Sequence, residues 1–360
     1  MYPIHRRSKH YDYTIETFAD FQELQTRVNN STESSSARYP GASNGSGFAG
    51  KRFRMTNDIN FNNFAWTGIG NSSNKWFQGN FDGGGFSILN FNLSNSLAVG
   101  YNAALFYGIK NAQIHDLSIY GNITLSSNIL IAVLVAIISE NCSIERIVNY
   151  TNVSSVNDAN IIGHVNTDSN VIISDIINVG NLTSRNYNSA SIVRSVASQL
   201  HISRVCNFGK ISIGTSGNGP ASGIVSGHYG SVSHIIIENC YNAGALEGTK
   251  NVNGITNINN PTMIPTITSS IKNCYNIGTL TKLSSTAVLA AISPGTPDVL
   301  QNNYYDSSLV VDGSVYNSVA KTTQELKSGS LFADGVWIER AGKFPVLPFM
   351  QNLQDQLLNQ

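Results

Sequence analysis

Charge is scarce in this chain. Charged residues make up 12% of the 360 residues, and 22 Lys and Arg balance 22 Asp and Glu to a formal charge of zero. That fraction is about half the usual for a globular protein. Phosphate backbones demand a basic stripe, so nucleic acid is excluded as the main partner. Cysteine is sparse too: Cys142, Cys206, Cys240 and Cys274 are too few for a disulfide scaffold. Long hydrophobic runs are missing. The most apolar stretch, residues 129–138, is ten residues long, about half of what a membrane-spanning helix needs, so membrane insertion is not expected. The opening MYPIHRRSKH carries basic residues with no apolar segment behind them. It does not read as a signal peptide, and export would need a leader removed beforehand or another route.

Asn, Ser, Thr, Gly and Ile fill the space these absences leave, a mixture suited to short strands joined by polar turns. They also repeat. IENCYNAGAL (237–246) returns as IKNCYNIGTL (271–280), and looser copies begin at Ile114, Ile144, Ile173, Ile202 and Leu300. Successive starts are 30, 29, 29, 35, 34 and 29 residues apart. A period of this size marks a solenoid, in which each repeat buries its apolar face against its neighbours. Helical repeats would place apolar residues three and four apart. Here the runs are short and strand-like, so the period predicts an all-β parallel β-helix with coils of about 29–35 residues stacked roughly 4.8 Å apart.

Three regions follow. Residues 1–50 read as an N-terminal arm (1–12), a capping helix and a loop. The helix is marked by Thr17 with Asp20 as a capping pair and by Phe18, Phe21, Leu24 and Val28 at helical spacing. Residues 30–50, rich in Ser, Gly and Asn, read as a solvent-exposed loop. Residues 51–310 read as the β-helix, with loops protruding near 214–220 and 257–269 to absorb the two long intervals. Residues 311–360 lose the period and read as a C-terminal cap and tail. Gly83, Gly84 and Gly85 mark a tight corner, since no Lys or helix follows to make a phosphate loop.

Stacking in register turns single positions into rows. Counting the first anchor residue as position zero, positions zero and nine are apolar in every copy. Position five carries Asn149, Asn178, Asn207, Asn242 and Asn276, which predicts an amide ladder from coil to coil. Cys206, Cys240 and Cys274 are placed together at position three, as free buried thiols. Position two carries Asp116, Arg146, Asp175 and Arg204, which predicts an alternating surface ion-pair ladder. Position seven is Gly121, Gly180, Gly209, Gly244 and Gly278, expected at a left-handed corner. Position ten offers hydroxyls at Thr124, Ser154, Thr183, Ser212 and Thr281, three of which complete glycosylation acceptors at Asn122, Asn152 and Asn181.

Catalytic signals are wanting. His115, His164, His201, His228 and His234 are scattered, with no Ser–His–Asp arrangement, no HExxH and no clustered aspartates. No catalytic residue, metal ligand or cofactor is assigned.

FQGNFDGGGFSILNFNL with NAALFYGIKNAQIHDLSIYGNI resembles the GLUG-type repeat of bacterial surface and secreted proteins, and IENCYNAGAL resembles their Asn-Cys-Tyr-Asn coils. The entry segment YTIETFADFQELQTRVN and the ending GKFPVLPF are similar to theirs, so the resemblance spans roughly residues 13–349. It implies a right-handed parallel β-helix used as an extracellular stalk or adhesive surface, with no shared catalytic residues. The expected function is therefore a non-enzymatic extracellular structural or adhesion protein. Its partner would be a protein or glycan surface, or further copies of itself. A fibre or spike component and a carbohydrate-binding or polysaccharide-degrading β-helix are the alternatives.

Overall fold

The computed structural model describes residues 11–35, 37–94, 102–126, 130–167, 169–185, 190–214, 219–227, 233–258, 267–295, 297–309 and 318–359. Short strands stack in parallel into an all-β solenoid. The anchors lie in register: Ile114, Ile144, Ile173, Ile202, Ile237, Ile271 and Leu300 pair in succession. Positions nine to eleven form a second short strand per coil, as at Asn152–Ser155, Leu182–Ser184 and Ile211–Ile213. The small apolar stretches between anchors form a third wall, in a sheet of their own that includes Leu130–Ser139, Ala159–Val165 and Ala190–Val196.

Alternation along each strand decides what enters the core. Positions zero, three and nine point inward and are buried in the central coils. The filling changes along the axis. Phe53, Phe61, Trp66, Phe77, Phe81, Phe91 and Phe106 pack against one another at the N-terminal end, with ring centroids such as Phe61–Trp66 5.2 Å and Phe77–Phe106 5.3 Å apart. Ile, Val and Leu take over beyond Ile109.

The left-handed corner lies elsewhere than expected. Gly121, Gly180, Gly209, Gly244 and Gly278 do not adopt positive φ. Position two does, in every copy: Asp116, Arg146, Asp175, Arg204, Asn239, Asn273 and Asn302 have φ between 52° and 58°. Asp and Asn tolerate this backbone; for Arg146 and Arg204 it costs on the order of 1 kcal/mol or more each. Glycine is needed at position seven for space. A Cβ on Gly244 would overlap the carbonyl oxygen of Gly209 one coil back, and one on Gly278 would overlap that of Gly244.

The N-terminal region is more tightly built than the expected loop. Helix α1 (Phe18–Asn30) has Thr17 as its N-cap in a capping box with Asp20, and it buries Phe21, Leu24 and Val28 over the end of the core. The stack itself begins before the helix, because Tyr13–Ile15 pairs in register with Phe53, Arg54 and Met55. Within residues 30–50, Tyr39 and Phe48 are fully buried. Buried Glu33 accepts the backbone N–H groups of Gly45 and Gly47, both at 2.8 Å. The segment is a largely exposed loop, as expected, but two buried aromatic side chains anchor it, and the surrounding Ser and Gly concealed them. Residues 1–10 of the proposed arm, and 215–218 and 259–266 of the proposed protruding loops, lie outside the described residues.

The C-terminal region both closes the end and runs back along one side. Ser318–Lys321 adds a final strand, followed by helix α2 (Thr323–Leu326). Positions four and six of the anchors leave an outward apolar stripe that includes Val148, Ile177, Cys206, Tyr241 and Tyr275. Phe332, Trp337, Leu347, Phe349 and Leu353 pack onto it, the last from helix α3 (Gln351–Leu357). Buried Gln354 accepts the Tyr241 hydroxyl (2.9 Å), and the Tyr275 hydroxyl donates to the Pro345 carbonyl (2.6 Å).

Two substitutions separate these roles. Gly244→Ala should cost about 3 kcal/mol or more, because backbone cannot yield as a flexible side chain does. Asn207→Ala should cost about 2–3 kcal/mol, because it strands the partner amides of Asn178 and Asn242. Urea unfolding monitored by circular dichroism measures both. A loss below about 0.5 kcal/mol in either would contradict the stacking argument.

Candidate functional site

The asparagine row sits inside the corner, fully buried. Asn149 donates to Asn178, Asn178 to Asn207 and Asn207 to Asn242, each at 2.7 Å, and Asn242 to Asn276 at 2.8 Å. Each amide also donates to the position-seven carbonyl of its own coil, as Asn207 does to Gly209 at 2.9 Å. These side chains hold coil to coil and leave no amide for a ligand.

The cysteines do not share one row. Cys240 and Cys274 face the core, whereas Cys206 pairs with Tyr241 and packs under the C-terminal segment. Cys206 is at position four, one residue beyond the others, so alternation sends it outward. All four thiols are free and buried. Burial pushes the Cys142 thiol up to about 11 and raises those of Cys206 and Cys274 as well.

The position-two charges form two separate clasps. Arg146 reaches back to Asp116 with both Nε (2.6 Å) and an Nη (2.9 Å), and Arg204 reaches Asp175 in the same manner at 2.8 Å and 2.8 Å. Bidentate pairs of this kind are the strong form of an ion pair. The position-ten hydroxyl row is interrupted at its centre: Ser212 is buried and donates to Glu247 at 2.8 Å. The side chains of the glycosylation-motif asparagines are also engaged: Asn152 donates to Asn122 and accepts the Asn181 backbone N–H, and Asn181 accepts the Lys210 backbone N–H.

Two clusters were not visible in the sequence. Pairing of Asp82 with His115 across adjacent strands brings Asp82, His115 and Asp116 together, with ligand atoms within 4.8 Å of one another. His115 Nδ1 lies 2.7 Å from Asp116 and 3.6 Å from Asp82, and Nε2 lies 3.1 Å from the Asn80 side-chain oxygen. Arg54 donates to Asp82 at 2.7 Å, and the Tyr11 hydroxyl also bonds Asp82. The guanidinium groups of Arg54 and Arg146 thus already supply the positive charge that a metal ion would bring. Aligning Phe81 with Ile114 would have revealed this cluster. Its coil carries FQGNFDGGG instead of the anchor motif, which hid the register.

The second cluster joins His164 Nδ1 to Ser195 Oγ at 2.7 Å. Ser195 is fully buried, and Arg194 beside it is paired with buried Asp158 at 2.9 Å. Burial and Arg194 lower the His164 value. An apolar cavity of about 370 Å³ lies alongside, lined by Ile131, Ala136 and Ile137.

The first cluster borders a polar pocket of about 420 Å³ on the outer face of the longest wall. Asn80, Gln113 and Ser143 form its floor in adjacent strands, Tyr11 and Arg52 one side, Glu145 and Arg146 the other. Tyr11 is held by its hydroxyl bond and by Arg54, whose guanidinium lies 5.0 Å from the ring centroid. Burial would raise the Asp116 carboxyl, but hydrogen bonds from Arg146 and His115 hold it well below the usual carboxylate range.

Fold and site together define a parallel β-solenoid that carries a charge-paired polar pocket on one wall. A scan of protein-family models gives no match, and neither does a comparison with curated proteins, so neither supports the resemblance to GLUG repeats. Among solved structures the chain is similar to "a putative immunoglobulin A1 protease" from Bacteroides ovatus, with a TM-score of 0.55 over 94% of this chain and 92% of the other. Identity is 15%, so the likeness concerns the fold alone.

Because the native Asp116 value is depressed, its contribution to stability is complete above the ordinary value of 3.8 and is lost as pH falls toward the native one. Asp116→Asn should cost about 2 kcal/mol at neutral pH, with the gap from the parent closing as pH falls from about 5 to 2. Urea midpoints across that range test it. A gap that stays constant with pH would show that the carboxylate charge is not the cause.

Proposed function

We propose that this chain is a non-enzymatic extracellular scaffold whose β-solenoid surface binds a protein or glycan partner. One observation carries the reading: Glu145 in the pocket wall, and Asp82 and Asp116 bordering the pocket, are each paired with an arginine. A glycosidase or lyase acting by general acid catalysis needs a carboxyl whose value is raised toward neutrality. Asp116 is driven the opposite way, and Asp82 is covered by Arg54 and Tyr11. Such a site suits recognition better than catalysis by a carboxylic acid.

A peptide-cleaving role, as the name of the Bacteroides ovatus protein would suggest, finds little support in the Ser195–His164 contact. A nucleophile must meet substrate, and Ser195 is wholly buried. What remains variable from coil to coil faces outward. At position minus one the wall presents Gln113, Ser143, Ile172 and His201 in turn, with Ile172 46% exposed. Variation on a rigid frame is how a repeat protein acquires specificity.

Antibody labelling of intact cells should detect the chain at the surface. Beads coated with folded protein should adhere to target cells, and beads coated with heat-unfolded protein should not. Incubation with polysaccharides and with immunoglobulin A1 should leave both intact. Cleavage that disappears in His164→Ala or Asp116→Asn would overturn the proposal.

A further inference from the structure

We infer that the pocket beside Tyr11 is a subsite for a carboxylate-bearing sugar residue of a glycan; this deepens the scaffold reading and rests on it. Its size falls within the range of roughly 300–1,000 Å³ seen for small-ligand sites. Its lining mixes donors and acceptors, as a polyhydroxylated ligand requires. Asn80 donates to the Gln113 side-chain oxygen at 2.6 Å. That bond fixes the Gln113 amide and leaves its NH₂ group for a ligand, beside the Ser143 hydroxyl.

The charge balance selects the acid. Arg54 is matched by Asp82, and Arg146 by Asp116 and Glu145. Arg52 is exposed, and among the described residues no carboxylate pairs with its guanidinium. Asp12 accepts the Arg52 backbone N–H instead, at 2.8 Å. A guanidinium with its fork open suits a carboxylate, which it can hold with two parallel hydrogen bonds. Nucleic acid would ask for several such cations along a stripe, and among the described residues lining the pocket Arg52 alone is open.

Position in the fold argues against an extended peptide. Peptides add to sheets at an open edge, through main-chain hydrogen bonds. Here the strands under the pocket are paired on both sides, Asn80–Asp82 with Arg52–Met55 and with Gln113–Leu125. The ligand therefore meets side chains alone. Because Tyr11, Asn80 and Arg146 are already fixed by their own contacts, little rotamer freedom remains to be lost on binding.

The test uses the full chain and calorimetry with four probes: an oligogalacturonate, a sialylated oligosaccharide, and the methyl ester of each. An acidic probe should bind, its ester about tenfold more weakly, and affinity should fall with salt. Arg52→Ala should weaken the acidic probe about tenfold, and Gln113→Ala about fivefold. Both lie on the surface and should leave the circular dichroism spectrum and thermal midpoint unchanged. Failure of both acids to bind, equal binding of acid and ester, or binding that both substitutions leave untouched would overturn the subsite. Adhesion of protein-coated beads together with no probe binding would refute this subsite while leaving the scaffold reading in place. Cleavage of a probe would remove the scaffold reading itself.

Discussion

Each residue at a repeated position of this fold is chosen against its own copy one strand spacing away, about 4.8 Å above and below. Parallel stacking in register places carbonyl over the same carbonyl's position, amide over amide and corner over corner. A side chain survives at a repeated position only if it tolerates a duplicate as neighbour. Asn satisfies this because its amide both donates and accepts, so a column of copies closes on itself. Glycine satisfies it where the preceding coil's carbonyl fills the space of a side chain. A run of one charge would not, and position two answers with aspartate and arginine in alternation before changing to neutral Asn239, Asn273 and Asn302.

The candidate site arises where that rule is relaxed. In the first coils the outward residues are not copies: Arg52, Asn80, Gln113 and Ser143 follow one another along the wall, and Arg54, Asp82, His115 and Glu145 run beside them. Unlike neighbours hydrogen-bond and pair charges instead of merely coexisting. The aromatic filling below this region, with Phe53, Phe81 and Phe106, departs from the aliphatic filling of later coils in the same way. Repetition and departure from it divide the molecule lengthwise.

The repeat period made the architecture readable before any coordinate, since apolar residues at positions zero and nine need no more than counting. The capping helix was equally plain, because Thr17 and Asp20 are a local signal. What escaped depended on a single residue of phase or on contacts across distant segments. Cys206 was one position out of line with Cys240 and Cys274, and in a strand one position exchanges inside for outside. The left-handed residue was sought at the glycines, although Asp and Asn at position two are nearly as permissive and Arg is carried there by the row. Tyr39 and Phe48 were lost among serines and glycines. The cluster of Asp82, His115 and Asp116 required a pairing between a coil with the anchor motif and one without it.

The segment that returns along the side of the solenoid changes how the array behaves as a polymer. A plain stack of coils is close to a one-dimensional system, in which each unit senses only the next and ends fray independently. Here Gln354 meets Tyr241 across 113 residues, and Trp337 spans to both Tyr241 and Tyr275. The final residues act as a splint, tying several coils into one cooperative unit. A solenoid emerging in order from N to C terminus would keep an apolar seam open along its flank until that splint arrived, so its coils can form one by one while its surface is completed only at the end.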